Sequence, residues 1–285
     1  MAICLKVMIG FEEAVAQLQN YLFVSIGETR GTFAMHGLVQ LATRKWLEMH
    51  DDGERWQTLF CRQLNAVLPN GQHENWGLCE VLFPHAKSAE RQRPMEVQWI
   101  RDWAQILRKA GWYALATGDY GEAMRMCEKS VGALRKVFSE EDVETSYSLG
   151  LLASIYRNQG RWTEAEKIDV EVMETSRRVL GEEHPLTLTS MANLASTYQN
   201  QGRWTEAKKM QVQVMETRKR VLGEEHPDTL SSMNNLAFTM KEQGSRVDAI
   251  RIMMECVQLR NQVLGPEHPE ALSSATALAE WQSVK

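Results

Sequence analysis

The apolar positions of this chain follow a helical pattern that returns at a fixed interval. From Leu188 the run LTSMANLASTY places apolar or small residues at Leu188, Met191, Leu194, Ala195 and Tyr198, the spacing of an amphipathic helix. Asn200-Gln201-Gly202 ends it, and Gly202 suits the left-handed position after a last helical turn. A second stripe follows at Ala207, Met210, Val214, Met215, Val221 and Leu222, closed by Gly223. Thr205 is expected to cap this second helix. In the preceding copy Thr163, with Glu166 three residues on, has the form of a capping box. Pro227 then stands where a first helical turn tolerates a missing N–H.

The whole unit recurs at an offset of 42 residues. GRWTEAEKIDVEVMETSRRVLGEEHPLTL from Gly160 and GRWTEAKKMQVQVMETRKRVLGEEHPDTL from Gly202 are nearly the same stretch. Gly181, Gly223 and Gly265 each open a G-x-E-H-P run, and Gly118, Gly160, Gly202 and Gly244 mark a second fixed position. Two helices alone cannot cover their apolar faces, and stacking covers them, so the pattern predicts a stacked helical array.

These residues carry a family resemblance. The small-xx-Y and G-x-[WY]-x-E-A patterns resemble tetratricopeptide (TPR) repeats. The 42-residue form with the VLGEEHPDTL linker resembles the kinesin-light-chain subtype. The copies at 146–187 and 188–229 match closely, and the copy at 230–271 has Met240 in place of the tyrosine. The copy from about 104 keeps Gly118-Asp119-Tyr120 and Glu122-Ala123 but has Ser139-Glu140-Glu141-Asp142 in place of G-E-E-H. Leu272 to Gln282 gives one more first helix, a half repeat that can cap the array with Glu280, Gln282 and Lys285 outward. The expected fold class is all-α, a TPR α-α superhelix (solenoid) with a small N-terminal winged-helix-like remnant.

That remnant is read from residues without the repeat. Phe11 to Leu18 reads as a helix, Tyr21 to Ile26 as a β-type run, Gly27 to Gly31 as a turn, and Thr32 to His36 as the returning strand of a hairpin. Gly37 to Met49 is helical again, with Leu38, Leu41, Ala42 and Trp46 on one side. The string TFAMHGLVQLATRKWLE is similar to a segment of fungal STAND-type NTPases, in which a nucleotide-binding domain, a winged helix and TPR repeats follow one another. The resemblance continues more weakly through Trp76, Cys79, Pro84, His85 and Ala86; the family's usual basic residue is Gly37 here. It implies that His36 matches a histidine sensing nucleotide phosphates. No G-x-x-x-x-G-K-[ST] loop is present in the sequence, so His36 is an orphaned nucleotide-sensor-like residue, expected to be buried and bonded. The chain is expected to be the C-terminal part of a longer protein or a natural truncation. The expected organisation is a winged-helix-like remnant at 1–50, a helical linker region at 51–100, and an array at 101–285 of four repeats plus a terminal half repeat.

Composition narrows the function classes. Net charge is −5, without a basic arm, so no nucleic-acid partner is expected. No apolar run reaches transmembrane length, so no membrane partner is expected. Cys4, Cys61, Cys79, Cys127 and Cys256 are odd in number and lack C-x-x-C spacing, which fits free thiols and a cytoplasmic location; Cys127 and Cys256 are expected in the core.

Candidate chemistry is weighed against the repeat itself. His184, His226 and His268 recur every 42 residues, but neighbouring helix pairs stack roughly 10 Å apart, beyond a zinc ligand's ~2.1 Å reach. Each is expected to bond near its own inter-repeat turn. Trp162 and Trp204, with Tyr120 before them, are expected to pack between repeats. Glu182-Glu183 and Glu224-Glu225 are adjacent carboxylates on turns with nothing opposed to them, so acid–base catalysis is not expected. No enzyme activity, cofactor or metal is expected.

The groove remains. In a TPR array first helices line the concave face. The inward positions are Gln105, Arg108, Lys109, Trp112, Leu115 and Ala116; then Tyr147, Gly150, Leu151, Ser154, Arg157 and Asn158. They continue with Thr189, Ala192, Asn193, Ser196, Gln199 and Asn200; then Ser231, Asn234, Asn235, Phe238, Lys241 and Glu242. Arg108, Lys109 and Arg157 make the front of this face basic, which predicts an acidic stretch of the partner there. Asn193 and Asn235 fall where TPR peptide-binding proteins use an amide to bond a ligand's backbone, since an amide donates and accepts at once. The expected function is a non-catalytic scaffold binding a peptide or partner protein in this groove, as the sensor or effector part of a STAND-type signalling protein. The alternatives are a kinesin-light-chain-like cargo adaptor and a regulatory fragment of a nucleotide-switched NTPase whose P-loop domain is absent.

Overall fold

The structure is a computed structural model. It describes residues 13, 15–27, 33–50, 53–92, 94, 96–139 and 141–283. The expected turn at 28–31, Glu140 and the outward Lys285 lie outside the described residues. The chain divides into two compact units, Met1–Phe60 and Cys61–Lys285.

In the first unit residues 15–20 are helical. Strand β1 (Val24–Ile26) pairs antiparallel with β2 (Phe33–Met35), in the register Val24↔Met35, Ser25↔Ala34 and Ile26↔Phe33. Helix α1 (Gly37–Met49) follows. The helix–hairpin–helix order is as expected, but only the last three residues of the Tyr21–Ile26 run pair. Leu38, Leu41 and Trp46 are exposed, and no residue of α1 is buried. His36 is exposed rather than buried. It caps α1, its Nδ1 accepting from the Leu38 backbone N–H at 3.2 Å.

The second unit carries helices in pairs. Helix α2 (Gly53–Val67) runs into it and α3 (Trp76–Glu90) precedes the array. The pairs are α4 (Val97–Ala116) with α5 (Tyr120–Val137), α6 (Val143–Asn158) with α7 (Trp162–Leu180), α8 (Pro185–Asn200) with α9 (Trp204–Leu222), and α10 (Pro227–Glu242) with α11 (Arg246–Val263). Helix α12 (Pro269–Ser283) stands as the unpaired last element. Each first helix packs on its own second helix and on those flanking it in sequence.

Small side chains set the packing distance. Ala123, Ala165, Ala207 and Ala249, each five residues after a turn glycine and directly after Glu or Asp, are fully buried. So are Ala153, Ala195 and Ala237 on the facing first helices. Gly111 holds the equivalent place in the first pair, where a Cβ would lie 3.4 Å from Leu151 Cδ2. Gly202 takes φ +76°, as the turn between the helices of a pair requires, and Gly223 takes φ +97° between pairs.

The recurrent histidines have the role read from their turns. His184, His226 and His268 each precede the proline that opens a first helix. Their Nδ1 atoms accept from the backbone N–H of Leu186, Asp228 and Glu270 at 3.1, 3.1 and 3.3 Å. This satisfies a donor that a helix start leaves orphaned.

The expected threonine caps do not form. Helices α7 and α9 start two residues earlier than those caps imply, at Trp162 and Trp204, with Arg161 and Arg203 at the capping position and no side-chain cap. Thr163 and Thr205 therefore lie within the first turn. Glu166 is drawn to the next repeat instead, accepting from Gln201 Nε2 at 2.8 Å and Arg203 Nη1 at 2.7 Å. A charge-assisted bond to the guanidinium outweighs the neutral capping bond. Trp162 and Tyr120 are exposed and Trp204 half-buried.

Buried arginines tie neighbouring pairs together. Arg218, 5% exposed, donates to the Asp228 carbonyl, Ser232 Oγ and Thr189 Oγ1, joining α8, α9 and α10. Arg260 repeats the arrangement one period later with the Glu270 carbonyl, Ser274 Oγ and Ser231 Oγ. Cys61, Cys79, Cys127 and Cys256 are free and buried. Burial pushes the Cys61 thiol up to about 11 and the Cys127 thiol further.

Candidate functional site

The first helices α4, α6 and α8 enclose a groove of about 300 Å³. Nine of the residues read as inward-facing line it: Arg108, Trp112, Leu115, Tyr147, Gly150, Leu151, Ser154, Thr189 and Asn193. Leu186, Ser146, Ser190 and Val172 complete the wall. The sequence reading missed these four because their positions face the neighbouring helix in a single unit and border the groove only once pairs are stacked. Trp112 and Tyr147 stand out from the wall, 41% and 43% exposed. Gly150 leaves room between them and α8, since a Cβ there would meet nothing within 4 Å.

The three cations read as a basic front have partners inside the protein. Arg108 lies 3.6 Å from Glu144 and over the Tyr147 ring at 5.3 Å. Lys109 donates to the Asn65 carbonyl at 2.7 Å and to Asn65 Oδ1 at 3.0 Å. Burial, reinforced by neighbouring Arg108, pulls the Lys109 ammonium below its usual range. Arg157 pairs with Asp169 at 2.9 Å and donates to Ser154 Oγ. Asp169 also accepts from Thr197 Oγ1 at 2.6 Å. Its carboxyl is pushed up by burial, with Arg157 and Thr197 opposing that rise. The front of the groove thus presents aromatic and aliphatic surface.

The same position is solved differently in each pair. Residues 42 apart give Leu115 with Cys127, Arg157 with Asp169, Gln199 with Gln211, and Lys241 with Met253. The Gln211 amide donates to Gln199 Oε1 at 3.3 Å.

Most of the other candidate side chains bond locally. Asn158 and Asn200 donate to the carbonyls of Ser154 and Ser196 in their own helices, and Ser196 Oγ donates to the Ala192 carbonyl. Ser231 accepts from Arg260, and Asn234 Oδ1 accepts from Ser274 Oγ at 2.9 Å. Lys241 pairs with Glu242 and lies over the Trp281 ring. The side-chain amides of Asn193 and Asn235 make no hydrogen bond among the described residues. Arg108 Nε is buried and likewise without a partner there. The paired glutamates are engaged at the surface, Glu183 with Arg220 and Glu224 with Lys219. No cluster able to hold a metal ion occurs among the described residues, and none of their helices is long and apolar enough to cross a membrane.

Comparison with known proteins agrees with this geometry. Tetratricopeptide-repeat family models match residues 142–199, 187–228 and 229–270. A "Nucleotide-binding leucine-rich repeat (NLR)-like protein" of Hyaloscypha variabilis is 35% identical over 139 residues, 48% of this chain; the match spans 14% of that relative's length. A Podosopora anserina protein of the kinesin light chain type, with nearly identical TPR-like repeats, has a similar fold. Its TM-score is 0.51 at 24% identity, covering 74% of this chain and 95% of that one. BtubC (BKLC) of P. vanneervenii gives a TM-score of 0.58 at 17% identity, covering 72% and 84%. Bacillus thuringiensis PlcR, solved with the peptide PapR7 and DNA, gives 0.54 at 13% identity, covering 80% and 75%. By the matched models and by their stacked helix pairs, residues 142–270 are tetratricopeptide repeats.

Proposed function

We propose that this chain is a non-catalytic protein–protein interaction scaffold that holds a peptide or partner-protein segment in its first-helix groove, as the sensor or effector part of a STAND-type signalling protein. One observation carries the reading. The groove combines two half-exposed rings, Trp112 and Tyr147, with the unbonded amide of Asn193. Rings supply contact area at little entropic cost, and an amide with both functions free can bond an extended backbone. Because Arg108 and Arg157 are already paired, an apolar or aromatic side chain of the ligand is the fitting anchor, and acidic residues act only at the rim. PlcR, a protein of similar fold, was solved with a peptide, which supports this mode of use. The NLR-like relative and the helix–hairpin–helix of the first unit support the STAND assignment. A kinesin-light-chain-like cargo adaptor is the second reading, favoured by the likeness of the repeats alone.

The test is selection of peptides from a random displayed library against the full chain. Selected peptides should share an aromatic or large aliphatic residue, and Trp112→Ala or Gly150→Leu should weaken them by about tenfold or more. Peptides that bind both variants like the wild type would refute the groove.

A further inference from the structure

A second pocket, of about 410 Å³, lies away from the groove between α3, α4 and α5. Lys129, Gly132, Ala133 and Lys136 form its α5 wall, one face of the helix. Trp103 from α4 and Glu90 with Arg91 at the end of α3 complete it. Glu90 is 3% exposed. Its Oε1 accepts from Lys129 Nζ at 2.8 Å and from Arg125, while its Oε2 is buried with no hydrogen-bond partner among the described residues. A buried carboxylate oxygen left unpaired is costly, and such a group calls for a partner. Arg91 and Lys136, at the same pocket, have no ion pair among the described residues.

Two of the residues that form this opening set the first pair apart from the later ones. At the places of Lys129 the later pairs have Glu171, Gln213 and Glu255; at the places of Gly132 they have Glu174, Glu216 and Gln258. Long acidic or amide side chains there give way to a lysine and a glycine. Glycine weakens a helix interior, and packing does not demand it here, since a Cβ on Gly132 would meet nothing within 4 Å.

We infer that this pocket is a second binding site, for a small organic anion (a carboxylate or phosphate ester) that also carries a neutral N–H or O–H donor. The anionic group sits between Lys136 and Arg91. Lys129 turning toward the anion uncovers the Glu90 carboxylate, whose Oε2 then accepts from the donor, and the apolar part lies toward Trp103. Arg125 holds Glu90 Oε1 independently of Lys129, so the half-exposed lysine can turn toward the anion while Glu90 stays neutralised.

Calorimetric titration of the full chain at low salt with N-acetylglutamate, citrate and glucose 6-phosphate tests this. At least one should bind saturably with Kd below about 1 mM. Gly132→Glu should weaken it by about tenfold or more and Lys136→Gln by about fivefold, while Trp112→Ala in the groove leaves it unchanged. The circular dichroism of Gly132→Glu should match the wild type; if it does not, Lys136→Gln and Arg91→Gln decide. No saturable heat from any of the three compounds at about 10 mM, or unchanged binding in the pocket variants, overturns the proposal. The groove reading is untouched by either result.

Discussion

Replacing Arg157 by leucine should destabilise the array far more than a surface ion pair would suggest. Asp169 has a side chain only 2% exposed, and that of Arg157 is 12% exposed. Removing the guanidinium leaves a buried carboxylate with the Thr197 hydroxyl as its remaining donor. Breaking one side of such a pair costs about 3–5 kcal/mol, whereas replacing both sides with packed apolar groups is close to neutral. The molecule supplies the replacement, since the first pair has Leu115 and Cys127 at the same two positions. Arg157→Leu alone should therefore lower Tm by roughly 10 °C, at about 2–4 °C per kcal/mol for a unit of this size. Adding Asp169→Cys should bring stability back to within about 1 kcal/mol of the wild type. The pH dependence has a definite sign. Asp169 is already pushed above the ordinary carboxyl range by burial, and losing Arg157 raises it further. In the single variant the native state then binds a proton that the unfolded chain releases above its ordinary carboxyl pKa. The penalty is full once pH exceeds the raised native value and shrinks as pH falls back toward the unfolded one. Urea titrations followed by circular dichroism at pH 7 and pH 4.5 measure all of this. A single-variant cost below about 1 kcal/mol, no recovery in the double variant, or a pH-independent penalty would refute the reasoning.

Gly202→Ala should cost about 1 kcal/mol, because φ +76° penalises a Cβ; unchanged or raised thermal stability would contradict the left-handed turn. His226→Ala should cost about 1 kcal/mol by removing the cap on the Asp228 N–H, and His226→Asn should restore most of it. The thiols of Cys61, Cys79, Cys127 and Cys256 should stay unreactive to an aromatic disulfide reagent at pH 8 until the protein unfolds, because burial raises all four.

The paired helices were legible because their signals are local and repeated. A glycine 42 residues from its copies, an alanine five residues after each of those turn glycines and a His-Pro before the later first helices α8, α10 and α12 suffice to set the order α4 to α12 and the inward positions. The lining of the groove followed, since Arg108, Trp112, Tyr147 and Asn193 are fixed by the same offsets. What a side chain bonds to across the stack was not legible. Arg157 looked like a free cation because its partner Asp169 is on the second helix, at a position that is cysteine, glutamine or methionine in the other pairs. Lys109 looked free because Asn65 lies 44 residues away, outside the repeat. Glu166 has the spacing of a capping residue, yet Arg203 from the next repeat competes for it. In the first unit the α1 stripe read correctly as amphipathic, but periodicity does not say whether anything covers it.

The central claim is that the first-helix groove is where a partner binds. Hydroxyl-radical footprinting of the full chain, free and saturated with a library-selected peptide, tests it most directly. Trp112 and Tyr147 are 41% and 43% exposed within the groove, while Trp162 and Met254 on second helices are 41% and 52% exposed. Matched exposure makes each pair the other's control. The peptide should lower oxidation of Trp112 and Tyr147 several-fold and leave Trp162 and Met254 unchanged. Protection of Trp162 and Met254 with Trp112 and Tyr147 still oxidised at the free rate would contradict it.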